Sequence, residues 1–162
     1  MKKIIVFLFA FSSLFVKAQT VPNFDQIKLE KVTDYKAAEP FVLQTANYLL
    51  TKPIIKESKD RLNSLKFITS WMRGTPDHSY VFTDVPDKIG RDNDILGVYI
   101  AGMAKYSLDN KAISKDAKLV KLNALIILLD YCEVKENNIR MTKQLKKLAE
   151  AREKGQLEEA FQ

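Results

Sequence analysis

The sequence contains a single histidine, His78, which stands between Asp77 and Ser79. These residue types build the acid–base relay of many hydrolases, in which a histidine takes a proton from a serine and an acid orients the ring. Consecutive side chains rarely point at one another, so adjacency in sequence does not encode the geometry that the relay requires. The pattern therefore favours a loop turn over a catalytic centre.

The aspartates that follow His78 resemble a calcium-binding loop: Asp84, Asp87, Asp92 and Asp94. An EF-hand loop needs oxygen ligands at alternate positions, a glycine at the sixth and a glutamate at the twelfth, and this register fails from either of the first two aspartates. Lys88 and Arg91 would also oppose a cation. The sequence therefore predicts no metal and no cofactor, and Asp92 to Asp94 are assigned to helix capping.

The single cysteine, Cys132, rules out an internal disulfide framework and a cysteine-based zinc site. It ends an apolar segment, which favours an inert buried thiol. Were it exposed in an oxidising compartment, it would instead cross-link two chains.

The segment from Gly74 to Asn93 is a long connection that contains helix breakers at Pro76, Pro86 and Gly90. Connections of this length are unusual in compact domains and often carry function. A short extended piece over residues 80–83 is compatible with the pattern. The candidate binding residues lie in this loop and on the helix before it: Trp71, Asp77, His78, Tyr80 and Phe82. Trp71 fits either the core or the wall of a groove beside the loop.

Apolar residues recur at helical spacing through most of the remaining chain, and no segment shows a strand pattern. Pro40 fits the first position of a helix closed by Pro53, after an opening turn. Gly74 is expected to end the second helix in a left-handed conformation, and Ser114 is expected to cap the fourth. The later helices are predicted over 57–73, 95–108, 114–133 and 139–154. The fold class is thus all-α, a single-domain bundle of about five helices.

Two of these helices are apolar enough to be central and buried. Between Ile95 and Tyr106 only Lys105 is charged, and residues 124–129 are apolar on every face of a helix. Charged residues bracket the second run too closely for a membrane span. Small residues on one face of the first helix favour close packing against the second: Gly97, Ala101 and Ala104, with Gly102 nearby.

The first eighteen residues are typical of a secretory signal peptide. Lys2 and Lys3 precede an apolar run over 4–15, and Val16 and Ala18 fit a cut after Ala18. The run is shorter than the ~20 residues of a membrane span, which argues against an uncleaved anchor. We therefore predict export to the periplasm or the medium. The predicted organisation is a signal peptide at 1–18, an arm at 19–33, a helical domain at 34–155 and a tail at 156–162.

The charge balance is basic, with a formal net charge of +6. Cleavage would remove Lys2, Lys3 and Lys17 and lower that charge to +3. The basic residues of the last predicted helix lack the aromatic partners or groove-entering motif of nucleic-acid binders. We predict no nucleic-acid partner and no stable membrane anchor. A solvated basic face is preferred over weak attraction to an acidic membrane surface or cell-wall polymer.

Two segments resemble small exported helical proteins of unassigned function: FITSWMRGTPD over residues 67–77 and LGVYIAGMA over residues 96–104. The second segment is also similar to part of the secreted helical immunity proteins, which block cell-wall hydrolases. These resemblances bring no catalytic motif, and they supply no functional residue to carry over to this chain.

These patterns predict a non-catalytic exported protein that binds a protein partner in the periplasm or cell envelope, through a helical face and the 74–93 loop. An enzyme would instead require a deep cleft in which His78 and at least two loop aspartates converge. A small-ligand carrier would require an enclosed apolar pocket near Trp71 and Tyr80. An immunity-type inhibitor of a cell-wall hydrolase is a further alternative.

Overall fold

The computed structural model describes residues 21–161, and within this range the chain is all-α with no strand. The predicted fold class is confirmed: a single-domain helical bundle with five substantial helices. The helices are α1 (Val32–Thr51), α2 (Lys59–Gly74), α3 (Val85–Ile89), α4 (Asn93–Asp109), α5 (Ala117–Glu133), α6 (Lys143–Glu153) and α7 (Leu157–Phe161). The predicted signal peptide lies outside the described residues.

Helices α4 and α5 pack side by side at the centre, as predicted from their apolar composition. Helix α4 also contacts α1, α2 and α3, so that it is enclosed on most of its surface. Gly102 sets the distance to α5, because a Cβ atom there would lie 3.3 Å from the carbonyl oxygen of Ala124. A glycine at this position therefore lets two backbones approach closely.

Side-chain caps fix where the central helices begin. The Asp92 carboxylate accepts hydrogen bonds from the backbone N–H groups of Asp94 and Ile95, within the range predicted for capping. The prediction that Ser114 caps the next helix was wrong. Asp116 is the cap of α5, and the Ser114 hydroxyl donates instead to the carbonyl of Lys111 in a preceding 3₁₀ turn, Lys111–Ile113.

Helix α1 begins at Val32, so the prediction that Pro40 occupies its first position was wrong. The Asp34 carboxylate accepts hydrogen bonds from the backbone N–H groups of Lys31 and Glu30, which stabilises an earlier start. These two bonds also hold the pKa of Asp34 below its usual value. Pro40 lies inside the helix on its exposed side, where α1 continues past the missing N–H.

Gly74 closes α2 without the left-handed conformation that was predicted for it. Its role is steric, because a Cβ atom at this position would overlap the ring of Tyr35. The Tyr35 hydroxyl in turn donates to the carbonyl of Leu29, in the segment before α1. Gly74 therefore makes room for a contact that joins α2, α1 and the N-terminal segment.

The two ends of the described chain pack onto the bundle. In the predicted arm, Phe24 stacks on Phe67 of α2 with ring centroids 4.8 Å apart. The segment predicted as a tail is helical over α7, and both Leu157 and Phe161 are buried. Arm and tail are thus parts of the folded domain.

Candidate binding site

The loop between α2 and α4 turns one side towards the core and the other towards solvent. It contains the short helix α3, which has Pro86 in its first turn and ends at Gly90, where φ is +103°. Residues 80–83 follow an irregular path and form no strand. The loop is therefore built from α3 and from a preceding segment held by its side chains.

Four of the five predicted site residues lie together as a chain of rings. The ring centroid of Trp71 is 5.4 Å from that of His78 and 6.1 Å from that of Tyr80, and Phe82 follows Tyr80 at 6.5 Å. The indole of Trp71 is fully buried, and its N–H donates to the carbonyl of Tyr35 at 2.8 Å. Asp77, the fifth residue, is exposed. The rings therefore attach the loop to the core.

His78 is buried beside an acidic side chain that comes from α1. Its side chain is 2% exposed, and its Nε2 atom lies 3.7 Å from Oε1 of Glu39. The other oxygen of Glu39 accepts a hydrogen bond from Lys111 Nζ at 2.5 Å. Burial lowers the pKa of the imidazole below its usual value of 6.5, against the opposing pull of Glu39 and Asp77.

Further polar atoms are buried next to this pair, and we define the His78 cluster as Glu39, His78, Tyr80, Ser107 and Lys111. Both imidazole nitrogens, the Tyr80 hydroxyl and the Ser107 hydroxyl have no hydrogen-bond partner among the described residues. The Ser107 hydroxyl lies close to that of Tyr80, whose pKa is raised by burial. Such atoms cost free energy in a core, so the cluster is a polar region within a largely apolar interior.

The cluster holds a serine, a histidine and a glutamate, but it does not have the arrangement of a hydrolase site. Ser107 is 0% exposed, and no hydrogen bond joins it to His78. A nucleophile must reach both its base and a substrate. In this structure Ser107 makes no hydrogen bond to His78, and it is closed off from the solvent through which a substrate would arrive.

The loop aspartates are engaged away from His78. Asp84 pairs with Lys121 and Lys88, and Asp87 pairs with Arg91. Asp92 caps α4. Within residues 21–161 no group of three or more His, Cys, Asp or Glu side chains is placed to hold a metal ion. The convergence required by the enzyme interpretation is therefore not found in the described part of the chain.

On its outer side the loop forms an apolar groove with α2 and α4, which we call the loop groove. Its volume is about 340 Å³. The lining residues are Thr69 and Arg73 from α2, Phe82, Val85 and Pro86 from the loop, and Leu96, Tyr99 and Ile100 from α4. Arg73 is exposed and forms no ion pair or hydrogen bond with another described residue. The groove is therefore an apolar depression with one unpaired cation at its edge.

Sequence reasoning found the residues of the loop but missed Glu39, Ser107, Lys111 and Arg73. The sequence pattern does indicate that Glu39 is buried, because this residue stands at helical spacing with Val42 and Ala46 on the stripe that packs inward. An acidic residue at such a position needs a buried partner. Ser107 offered a weaker signal as a polar residue on the buried face of α4.

A larger groove of about 810 Å³ lies between the N-terminal arm and α2. Its lining includes polar side chains such as Asp60, Asn63 and Lys66. Val21 and Phe24 of the arm form one of its walls.

Comparisons of the chain with protein-family models, with curated proteins and with solved structures find no match. Among the helices of the described chain, none combines the length and the apolar character needed to cross a membrane.

Proposed function

We propose that this is a non-catalytic exported protein that binds a protein partner in the periplasm or cell envelope through the loop groove. The observation that carries the proposal is the combination of an apolar groove with the unpaired guanidinium of Arg73 at its edge. Arginines and apolar pockets at interfaces often supply a large share of the binding energy.

The lining of the groove defines the chemistry of the partner. An apolar side chain of the partner would enter between Phe82, Leu96 and Ile100 and remove their exposed surface from water. A carboxylate beside that side chain would pair with Arg73, whose planar guanidinium matches a carboxylate with two hydrogen bonds. The partner is therefore a protein segment with one apolar anchor and a neighbouring acidic residue.

The absence of catalysis is part of the proposal, and it is supported by where the reactive residue types lie. His78 and Ser107 are buried, and Asp84, Asp87 and Asp92 are engaged elsewhere. A purified mature protein that turns over an envelope or cell-wall substrate, and loses this activity on His78→Ala, would contradict it.

Site-specific photo-cross-linking in cells tests the proposal. A photoreactive residue at Ile100, in the loop groove, is expected to capture a defined partner. The same residue at Leu119, an exposed position on α5 outside the groove, provides the matched control. Capture of the same species from both positions would contradict the proposed surface.

Charge reversal then tests the acidic partner segment. Arg73→Glu is expected to weaken binding of the captured partner at least about tenfold, because it replaces attraction by repulsion. Arg140→Glu reverses an exposed arginine outside the groove and is expected to leave the affinity unchanged. Equal effects of the two substitutions would indicate general electrostatics rather than this groove.

A small-ligand carrier is the second candidate, because a volume of about 340 Å³ lies at the lower end of ligand pockets. The same lining would then hold an apolar carboxylate, with Arg73 binding its acid group. Saturable binding of a fluorescent fatty acid by the purified protein, lost in Arg73→Glu, would favour this candidate.

The immunity-type alternative identifies the protein partner as a cell-wall hydrolase. It predicts that a captured hydrolase is inhibited when the two proteins are mixed in equal molar amounts.

A further inference from the structure

The His78 cluster attaches the first half of the loop 74–93 to three other elements. His78 and Tyr80 come from the loop, Glu39 from α1, Ser107 from α4 and Lys111 from the turn that follows α4. Tyr80 also stacks on Phe82, which lines the loop groove. The cluster is therefore connected to the wall of the groove through two neighbouring rings.

The elements packed around His78 contribute two acidic side chains and one basic side chain. Glu39 of α1 and Asp77 of the loop are acidic, and Lys111 is basic. Helix α2 contributes the uncharged Trp71, and α4 contributes the uncharged Ser107. Glu39 is already paired with Lys111, so it is not free to neutralise a second cation fully.

The neutral imidazole suits this site, whereas the imidazolium does not. A neutral ring packs against Trp71 and Tyr80 in the core. A protonated ring would be a charge taken out of water, and burial makes the larger contribution in lowering its pKa. In a released loop His78 is hydrated and takes up a proton near its ordinary pKa of 6.5. Acid therefore favours the released loop, and the attached loop gains stability as the pH rises towards and above 6.5.

We propose that His78 is an acid-sensitive latch: protonation of its imidazole releases residues 75–84 of the loop from the bundle and removes Phe82 from the wall of the loop groove. The consequence for the partner rests on the proposed function, whereas the release of the loop does not. The latch would make the binding surface available at neutral pH and withdraw it in an acidified envelope compartment.

Trp71 is the only tryptophan and lies against His78, so its fluorescence reports directly on the latch. The test uses the free mature protein without a histidine tag, titrated from about pH 8 to pH 4.5, the range in which histidines change charge. The expected result is a change in Trp71 emission at a midpoint below 6.5, with unchanged far-ultraviolet circular dichroism. Loss of helical signal in the same step would mean general acid unfolding and would overturn a local latch.

Hydrogen exchange of amides in residues 75–84 gives the quantitative readout. After correction for intrinsic rates, the opening constant is expected to rise by up to about tenfold for each pH unit below His78's ordinary pKa, the limit for uptake of one proton. His78→Phe, which keeps a buried ring without a titrating nitrogen, should abolish this dependence. His78→Gln serves the same purpose if the phenylalanine variant does not fold.

The Glu39→Gln variant separates the contribution of His78 from that of its acidic neighbour. It keeps His78 and is expected to keep the acid response. A response that vanishes in Glu39→Gln and persists in His78→Phe would assign the effect to Glu39 and overturn the proposal, as would a flat opening constant in the unmodified protein. These measurements use the free protein without a partner. A failure of the latch is therefore distinguished from a failure of partner capture.

Discussion

At the scale of single residues, Asp84 joins three parts of the molecule through one carboxylate. It lies before α3 and accepts hydrogen bonds from Lys121 of α5 at 2.6 and 2.8 Å. Lys88 of α3 approaches the same carboxylate at 3.0 Å. Lys121 and Lys88 together lower the pKa of Asp84 to about 2, so that it stays ionised even in acid.

We expect Asp84→Asn to reduce the free energy of unfolding at neutral pH by about 1 kcal/mol or less, because the side chain is more than a third exposed. The contribution of Asp84 is fully present above its ordinary pKa of 3.8 and is lost as the pH falls through about 2. The difference in free energy of unfolding between the variant and the unmodified protein, measured by urea unfolding, should therefore shrink as the pH falls below 3.8. Asp87→Asn removes the exposed pair with Arg91 and should have no measurable effect at any pH.

The sequence identified the local part of the candidate site and not the distant part. Trp71, His78, Tyr80 and Phe82 are near one another in the chain, so a search around one loop finds them together. Glu39 meets His78 only after α1 has packed against the bundle. That packing decides which side of the loop turns inward. The interpretation of His78 as part of a loop turn therefore did not anticipate that its side chain is buried.

At the scale of elements, the contact between α4 and α5 depends on a glycine as well as on the apolar surface around it. At Gly102 the nearest neighbours are backbone atoms of Ala124, at 3.3 and 3.4 Å from an added Cβ. At Gly97 the nearest atom is the end of the Leu65 side chain, at 2.8 Å. A side-chain terminus rotates away at little cost, whereas a helix backbone does not.

Gly102→Val is therefore expected to lower the free energy of unfolding by about 1–3 kcal/mol, as overpacking of a core does. Gly97→Ala should be near neutral or stabilising by up to about 1 kcal/mol, since it removes a flexible residue from a helix. Chemical denaturation of the two variants checks the contrast. An equal loss in both would mean that helix packing here tolerates no side chain at all.

The five longer helices were predictable, but their ends and the short helices α3 and α7 were not. Apolar spacing finds α2 because its buried face repeats with the helical period, and nearly continuous apolar runs find α4 and α5. The start of α1 at Val32 is set by Asp34 and its two backbone hydrogen bonds, well before the start that Pro40 suggested. Ends are decided by such single hydrogen bonds, which leave only a weak pattern in the sequence.

At the scale of the whole molecule, the C-terminal helix closes the bundle against the same loop that forms the candidate site. The Phe161 ring lies edge-on to Tyr99 of α4 at 6.4 Å, with Lys88 Nζ at 5.4 Å from its centroid. Lys88 also donates to the Phe161 carbonyl at 2.6 Å. A segment as short as α7 gives little helical pattern, and its importance comes from what it covers rather than from its own sequence.

Removing this contact should loosen the loop and the end of the chain together. Phe161→Ala is expected to lower the free energy of unfolding by about 2–3 kcal/mol, somewhat less than a phenylalanine truncation deep in a core, because the short helix α7 relaxes more easily than a long one. Phe41→Ala, at a ring that is 42% exposed on α1, is the matched control and should cost less than about 1 kcal/mol. Urea unfolding measures both losses, and hydrogen exchange should show faster opening of α3 only in Phe161→Ala. If exchange at α3 stays unchanged while stability falls, α7 supports the bundle without holding the loop, and the C-terminal helix has no part in shaping the loop groove.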